Sequence, residues 1–120
     1  AKIDRFYVEQ FSYFLEKLYQ CKEKDGSRLL DHCMILYGGG ISDGNRHRHV
    51  DLPVLLAGGK AHGLQTGRHH DFSFGKYRTS SSLNKDGLGM PMTNLHLGLL
   101  KKMGVDADQI GDSTGITLNI

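Results

Sequence analysis

Two short apolar runs, each ended by glycine, decide the fold class of this 120-residue chain. Residues 33–40 read CMILYGGG, and residues 52–59 read LPVLLAGG. Neither run alternates between apolar and polar side chains, and each is too short for an ordinary helix. Such runs are typical of strands buried on both faces of a largely parallel sheet. We therefore expect strands at about 33–37 and 52–57, with Pro53 tolerated at the start of the second strand.

Helical periodicity precedes the first strand. Apolar residues recur there three to four residues apart, at Val8, Phe11, Leu15 and Leu18. This spacing predicts a helix over about 4–24, with Asp4 as its N-cap and a turn at Asp25-Gly26 as its end. The helix face is rich in aromatic residues, which favours burial against a sheet.

A second helix is predicted near the end of the chain. Its apolar positions are Met92, Leu95, Leu99 and Met103. Pro91 near the start and Gly104 after the last turn bound it to about 92–103, and Val105 suits the hydrophobic contact of a Schellman end. Residues 60–86 read as irregular structure or a loose hairpin with an edge strand near 72–77, and 116–120 as a short strand. The predicted fold class is α/β.

Composition argues against several classes of partner. The formal net charge is only +2, tryptophan is absent and no basic stripe is interleaved with aromatics, which argues against a nucleic-acid partner. No apolar stretch approaches the roughly 18 residues that a membrane span needs. A signal peptide is not recognisable, so we expect any export signal to lie upstream. Cys21 and Cys33 lack CxxC spacing, and we favour two buried free thiols over a disulfide.

The chemistry is expected in the loop 38–51, between the two predicted strands. In open α/β sheets, ligands bind at the carboxyl ends of the strands. The loop offers oxygen and imidazole donors, namely Asp43, Asn45, His47 and His49. This mixture suits Zn²⁺ or Mn²⁺, and Ca²⁺ less well. The alternative is that the two histidines, beside Arg46 and Arg48, form a surface patch that attracts anions.

Two further polar clusters lie outside that loop. Arg68-His69-His70 either contacts an anionic substrate group, with Arg68 and His69 as the binding residues, or decorates a hairpin. The residues 112–115 read DSTG and are typical of a turn that caps a helix or docks the tail.

Several blocks of this sequence resemble one protein family. They include LDH at 30–32, LYG at 36–38, ISDGNRH at 41–47, DLPVLLAGG at 51–59, TGRH at 66–69 and GDSTG at 111–115. In this order they resemble the DUF1552 (HXXSHH) family of uncharacterised, usually exported bacterial proteins. The resemblance covers nearly the whole chain, although the H-x-x-S-H-H motif is absent. It implies a single C-terminal segment of a larger, exported α/β domain.

That family is in turn similar to the alkaline phosphatase and sulfatase superfamily. The superfamily pattern H-x-x-x-D-[VL]-P-V fits His47 and residues 51–54, and its earlier aspartate fits Asp43. Gly44-Asn45 stands where the superfamily usually has a histidine. The resemblance implies the C-terminal portion of an alkaline-phosphatase-like fold with buried strands flanked by helices, a divalent-metal site and a small anionic ester substrate, with the nucleophile upstream. The expected leading ligands are Asp43 and His47, with His49 and Asn45 as supporting candidates.

Three functions therefore stand as hypotheses. The first is a segment of a metal-dependent phosphate- or sulfate-ester hydrolase. The second is a non-catalytic, exported binding or structural protein on the same fold. The third is an interaction module whose aromatic helix face packs on the remainder of its own chain or in a homo-oligomer.

Overall fold

The computed structural model describes residues 2–70, 72 and 90–116. In chain order the elements are α1 (Lys2–Gln20), α2 (Leu29–His32), β1 (Met34–Gly38), β2 (Val54–Gly58), a 3-10 helix (Lys60–His62) and α3 (Met92–Lys102). They belong to two compact units. Unit 1 comprises Ala1–Tyr37 and Leu55–Thr66, and unit 2 comprises Gly38–Val54 and Gly67–Ile120.

The first helix packs through part of the predicted apolar face. Phe11, Leu15 and Leu18 are half-buried, whereas Val8 is 45% exposed. The ring of Phe11 stacks on that of Tyr37, with 4.7 Å between centroids and 21° between planes. This contact attaches α1 to the end of β1 within unit 1. The aromatic residues on the rest of α1 are exposed.

The predicted bounds of α1, about 4 and 24, were both wrong. The helix begins at Lys2, so Asp4 lies in its first turn and is not the N-cap. It ends at Gln20, because Lys22 and Arg28 then form an isolated antiparallel bridge. The turn predicted near Asp25 closes this bridge, and Asp25 Oδ1 accepts the Ser27 backbone N–H at 2.9 Å.

The two predicted strands exist, but their pairing and burial differ from the prediction. A Cβ on Gly38 would lie 3.3 Å from Val54 Cγ2, and one on Gly58 would lie 2.2 Å from the Cys33 carbonyl oxygen. The end of each strand thus meets the start of the other, so the two-stranded sheet is antiparallel. Leu36 and Leu55 are 37% and 49% exposed. The sheet is therefore half-covered, whereas burial on both faces requires a layer on each side.

The second predicted helix is confirmed almost residue for residue. α3 spans Met92–Lys102, and Gly104 follows with a left-handed φ of +81°. The Gly104 N–H donates to Lys101 O and the Val105 N–H donates to Leu100 O, both at 3.0 Å. These are the two hydrogen bonds of a Schellman motif. The helix buries Leu97, which is 1% exposed.

The segment predicted as a docking turn does pack on the start of α3. The side chain of Asn94, 5% exposed, holds Thr114 twice: Oδ1 accepts the Thr114 N–H at 2.8 Å, and Nδ2 donates to Oγ1 at 3.3 Å. Thr93 Oγ1 donates to Asp112 Oδ1 at 2.7 Å. Ser113 is 7% exposed and its Oγ accepts the Ile110 N–H at 3.0 Å. Polar side chains therefore dock this turn within unit 2.

Three other predictions meet the structure only in part. Both cysteines are free, as expected, but the expected burial is wrong for Cys21, which is exposed, and Cys33 is only half-buried. The predicted edge strand near 72–77 and the predicted strand at 116–120 fall almost wholly outside the described residues. Within the described ranges, no helix is both long and apolar enough to cross a membrane.

Candidate metal-binding loop

The loop 38–51 connects β1 to β2, so the direction in which these two strands pair decides where the loop lies on the sheet. Because the two strands are antiparallel, the rule that places ligands at the carboxyl ends of parallel strands does not apply here. The prediction that the loop lies at the carboxyl end of strands in a parallel sheet was wrong. What remains is the geometry of the loop itself and the chemistry of its side chains.

A small bridged turn orders the middle of the loop. The Ser42 N–H donates to Arg48 O at 2.8 Å, and the Arg48 N–H donates to Asp43 O at 3.3 Å. Inside this bridge, Asp43 Oδ1 accepts the backbone N–H groups of Asn45 at 3.0 Å and Arg46 at 3.2 Å. This arrangement is an Asx turn, which aspartate followed by glycine and asparagine favours.

The turn fixes one oxygen of Asp43 and leaves the other weakly engaged. Oδ1 already accepts two N–H groups, whereas Oδ2 lies 3.9 Å from Arg46 Nε in an exposed ion pair. Exposed pairs at this distance contribute little to stability, about 0–1 kcal/mol. A cation that approached Oδ2 would therefore compete with Arg46 and not with the turn.

His49 is held by its neighbour across the loop. Its Nδ1 lies 2.6 Å from the Gly40 carbonyl oxygen. A carbonyl only accepts hydrogen bonds, so Nδ1 carries the proton and, in the neutral ring, Nε2 carries the lone pair. Metal-binding histidines usually have one ring nitrogen committed in this way, which fixes the tautomer and aims the other nitrogen. His49 is exposed, so Nε2 is open to a ligand.

Two residues of the loop adopt left-handed backbone conformations without being glycine. His47 has φ +51° and Asp51 has φ +58°. Each such residue costs about 1 kcal/mol or more relative to right-handed backbone. The loop conformation is therefore imposed by its hydrogen bonds, against the local preference of these two residues. Sites that bind ligands often store strain in this form.

The structure does not assemble a complete metal site from these residues. Across residues 2–70, 72 and 90–116, no three His, Cys, Asp or Glu side chains are grouped as a metal ion requires. Asn45 is exposed, and its contribution to the turn is its backbone N–H. The donor chemistry of Asp43 and His49 fits a divalent cation, but the loop offers part of a ligand set.

The predicted substrate-binding residues, Arg68 and His69, lie in an exposed stretch that follows Gly67. Next to them the ring of His70 stacks on Phe72, with centroids 5.8 Å apart. Their exposure is compatible with both roles considered from the sequence, a contact to an anion or a surface cluster.

No protein-family model, curated protein or solved structure matches this chain. The resemblance described above therefore rests on the quoted blocks of sequence alone, and the assignment to that family stays a hypothesis.

Sequence reasoning missed one polar cluster, which lies in unit 1. Ser27 Oγ is 2.8 Å from His32 Nε2 and donates to Asp25 Oδ1 at 2.5 Å. Because the hydroxyl hydrogen is committed to Asp25, Ser27 can only accept from His32, and His32 is not its general base. The Ser27 hydrogen bonds, with a smaller effect of His32, lower the pKa of Asp25 below 3.8. The sequence Asp25-Gly26-Ser27 could have revealed this cluster, but on its own it indicates only a turn.

Proposed function

We propose that this chain is the C-terminal segment of an exported, metal-dependent phosphate- or sulfate-ester hydrolase-like domain, in which the loop 38–51 contributes part of a divalent-metal site. The observation that carries the proposal is the His49 ring, whose Nδ1 is held by Gly40 O at 2.6 Å. That hydrogen bond leaves Nε2 as the metal-binding nitrogen. The sequence resemblance supplies the reaction class.

Within this proposal each residue of the loop has a stated task. His49 takes the place of His47 as a principal ligand beside Asp43, through Nε2 and Oδ2, because its ring is held by Gly40; His47 and Asn45 support them. A bound Zn²⁺ or Mn²⁺ would polarise an ester oxygen as a Lewis acid. Arg68 and His69 would hold the negative charge of a small anionic ester. The remaining ligands and the nucleophile are supplied from elsewhere in the longer domain.

A second candidate is a non-catalytic binding or structural protein on the same fold. Two observations favour it. Gly44-Asn45 occupies the place of the superfamily's usual histidine, and Asp43 Oδ1 is committed to the turn by two N–H groups. In this alternative the loop is a folded remnant that keeps its turn and has lost its metal.

Metal titration of the full-length protein, which would supply the remaining ligands, separates the two candidates. We expect Zn²⁺ and Mn²⁺ to bind more tightly than Ca²⁺, and His49→Ala to weaken Zn²⁺ binding by at least about tenfold. His62→Ala is the matched control, because His62 Nε2 also bonds a backbone carbonyl, His32 O, at 3.2 Å. Equal losses in both variants of the full-length protein, or no metal binding by the unsubstituted full-length protein, would favour the non-catalytic protein.

A further inference from the structure

One face of α1 is apolar and exposed. Its side chains are between 48% and 71% exposed: Ile3, Phe6, Tyr7, Tyr13 and Phe14. Successive helical residues are about 100° apart, so these five lie within roughly 120° of the helix surface, centred on Gln10. The half-buried stripe of the same helix runs through Phe11, about 100° away. The exposed face therefore adjoins the face that packs within unit 1 on the side of Tyr7, and its centre points in a different direction.

The spacing of this face is that of a helix-pairing seam. Ile3, Tyr7, Gln10, Phe14 and Lys17 follow one another at intervals of four, three, four and three residues. This is the heptad pattern by which two helices keep a continuous contact. A polar residue within such a seam favours one register of the pair, and Gln10 occupies the centre of this one.

We propose that this face pairs with the same face of a second copy of the chain, antiparallel, about a two-fold axis at Gln10. A two-fold contact requires a surface that is complementary to itself. The axis brings Phe6 beside Tyr13 of the second copy on one flank, and Tyr7 beside Phe14 on the other. Aromatic residues therefore meet aromatic residues in both halves. The pairing does not depend on the metal site.

Charge selects the antiparallel orientation. A parallel pair would set the two copies of Lys17 against each other on the centre line of the contact. In the antiparallel pair, Lys17 lies over Ile3 of the second copy, where its methylene stem covers apolar surface. Lys2 and Glu16 of the second copy also come to the same flank, with opposite charges.

The exposed area is sufficient for a modest dimer. A fully exposed aromatic side chain presents roughly 150–250 Å², and the four rings of this face are 48–61% exposed. With Ile3, they leave roughly 500 Å² to be covered on each copy. The total of roughly 1,000 Å² is at the lower limit for a specific interface. We therefore expect a concentration-dependent dimer that dissociates in the micromolar range.

Sedimentation equilibrium of the 120-residue chain tests the proposal. The parent chain should populate a dimer, and Tyr7→Glu with Phe14→Glu should raise its dissociation constant at least about 30-fold. Val8→Glu is the matched control: Val8 is 45% exposed on the same helix but points about 160° away from the seam. Its dissociation constant should stay within about threefold of the parent value. Circular dichroism verifies that every variant keeps its helix.

Cysteine cross-linking tests the orientation. Under oxidation Gln10→Cys should form a covalent dimer through position 10. The native Cys21, exposed and free, should not cross-link to its copy, because an antiparallel pair holds these residues at opposite ends. Ready Cys21 cross-linking would overturn the antiparallel arrangement. A monomer at all concentrations, or a dimer that Val8→Glu weakens as much as the seam variant, would overturn the proposal.

Discussion

Replacing Asn94 by leucine should release the turn at 111–115 from α3. Leucine has the same number and branching of side-chain heavy atoms as asparagine, so the buried site stays filled while both hydrogen bonds to Thr114 are removed. Asn94 is 5% exposed, and its amide makes one bond at 2.8 Å and one at 3.3 Å. The substitution therefore isolates the polar contribution of this contact.

The magnitude follows from those two hydrogen bonds. Each contributes about 1 kcal/mol net, so Asn94→Leu should cost the docked turn about 2 kcal/mol. That free energy corresponds to an opening equilibrium about 30-fold larger. The amide of Thr114 should exchange its hydrogen faster by the same factor, because its N–H is the donor in the stronger bond.

Amide hydrogen exchange followed by NMR is the appropriate assay. Thr93→Val is the matched control, since it removes only the exposed bond from Thr93 Oγ1 to Asp112 Oδ1. It should accelerate exchange at Thr114 no more than about threefold, because an exposed bond contributes about 0.5 kcal/mol. Unchanged protection of Thr114 in Asn94→Leu would refute the assignment of this side chain as the element that holds the turn.

Two further predictions concern unit 1. Gly58→Ala should lower the free energy of unfolding, measured in urea, by more than about 3 kcal/mol, because the new Cβ would clash with Cys33 O at 2.2 Å and φ is +79°. Gly26→Ala is the control: its φ is +86° but the space around it is open, so it should lower the free energy of unfolding by only about 1 kcal/mol. The lowered pKa of Asp25 means that its turn gains stability above pH 3.8 and loses it as the pH falls through the lower, folded-state pKa. Ser27→Ala should return the carboxyl pKa toward 3.8 in an NMR titration, and an unchanged pKa would contradict the stated cause.

The elements that the sequence predicted best are those with local determinants. For α3, Pro91, the apolar spacing and Gly104 all act within a few residues, and they agree with the structure at both ends. The end of α1 was misjudged because it is determined by a non-local contact. Lys22 pairs with Arg28 across a turn, and periodicity contains no information about that pairing.

The strands illustrate a different limit. Their apolar composition identified them, but composition does not state which way a partner strand runs or how many layers cover a sheet. The parallel sheet was inferred because apolar and polar residues do not alternate in either run. The half-covered strands β1 and β2 have the same apolar composition, although Leu36 and Leu55 on them are exposed. The location of the loop was then argued from the wrong topology.

The candidate site was predictable as a set of donors but not as an arrangement. Asp43 and His47 were chosen as the leading ligands, with His49 and Asn45 as supporting candidates, whereas the structure gives a defined hydrogen-bonding role to the side chains of Asp43 and His49. The loop that carries them has a left-handed backbone at His47, which ordinary conformational preferences disfavour. A sequence pattern cannot predict a conformation that is imposed against local preference.

The hydrogen bond between His49 and Gly40 also gives the loop a spectroscopic reporter. With the proton fixed on Nδ1, the two ring nitrogens have different ¹⁵N chemical shifts, and each is assignable through the carbon-bound ring protons. A ligand that reaches Nε2 would change one of these shifts strongly and leave the other nearly constant. The occupancy of this loop can thus be followed in solution at a single atom, without an assay of turnover.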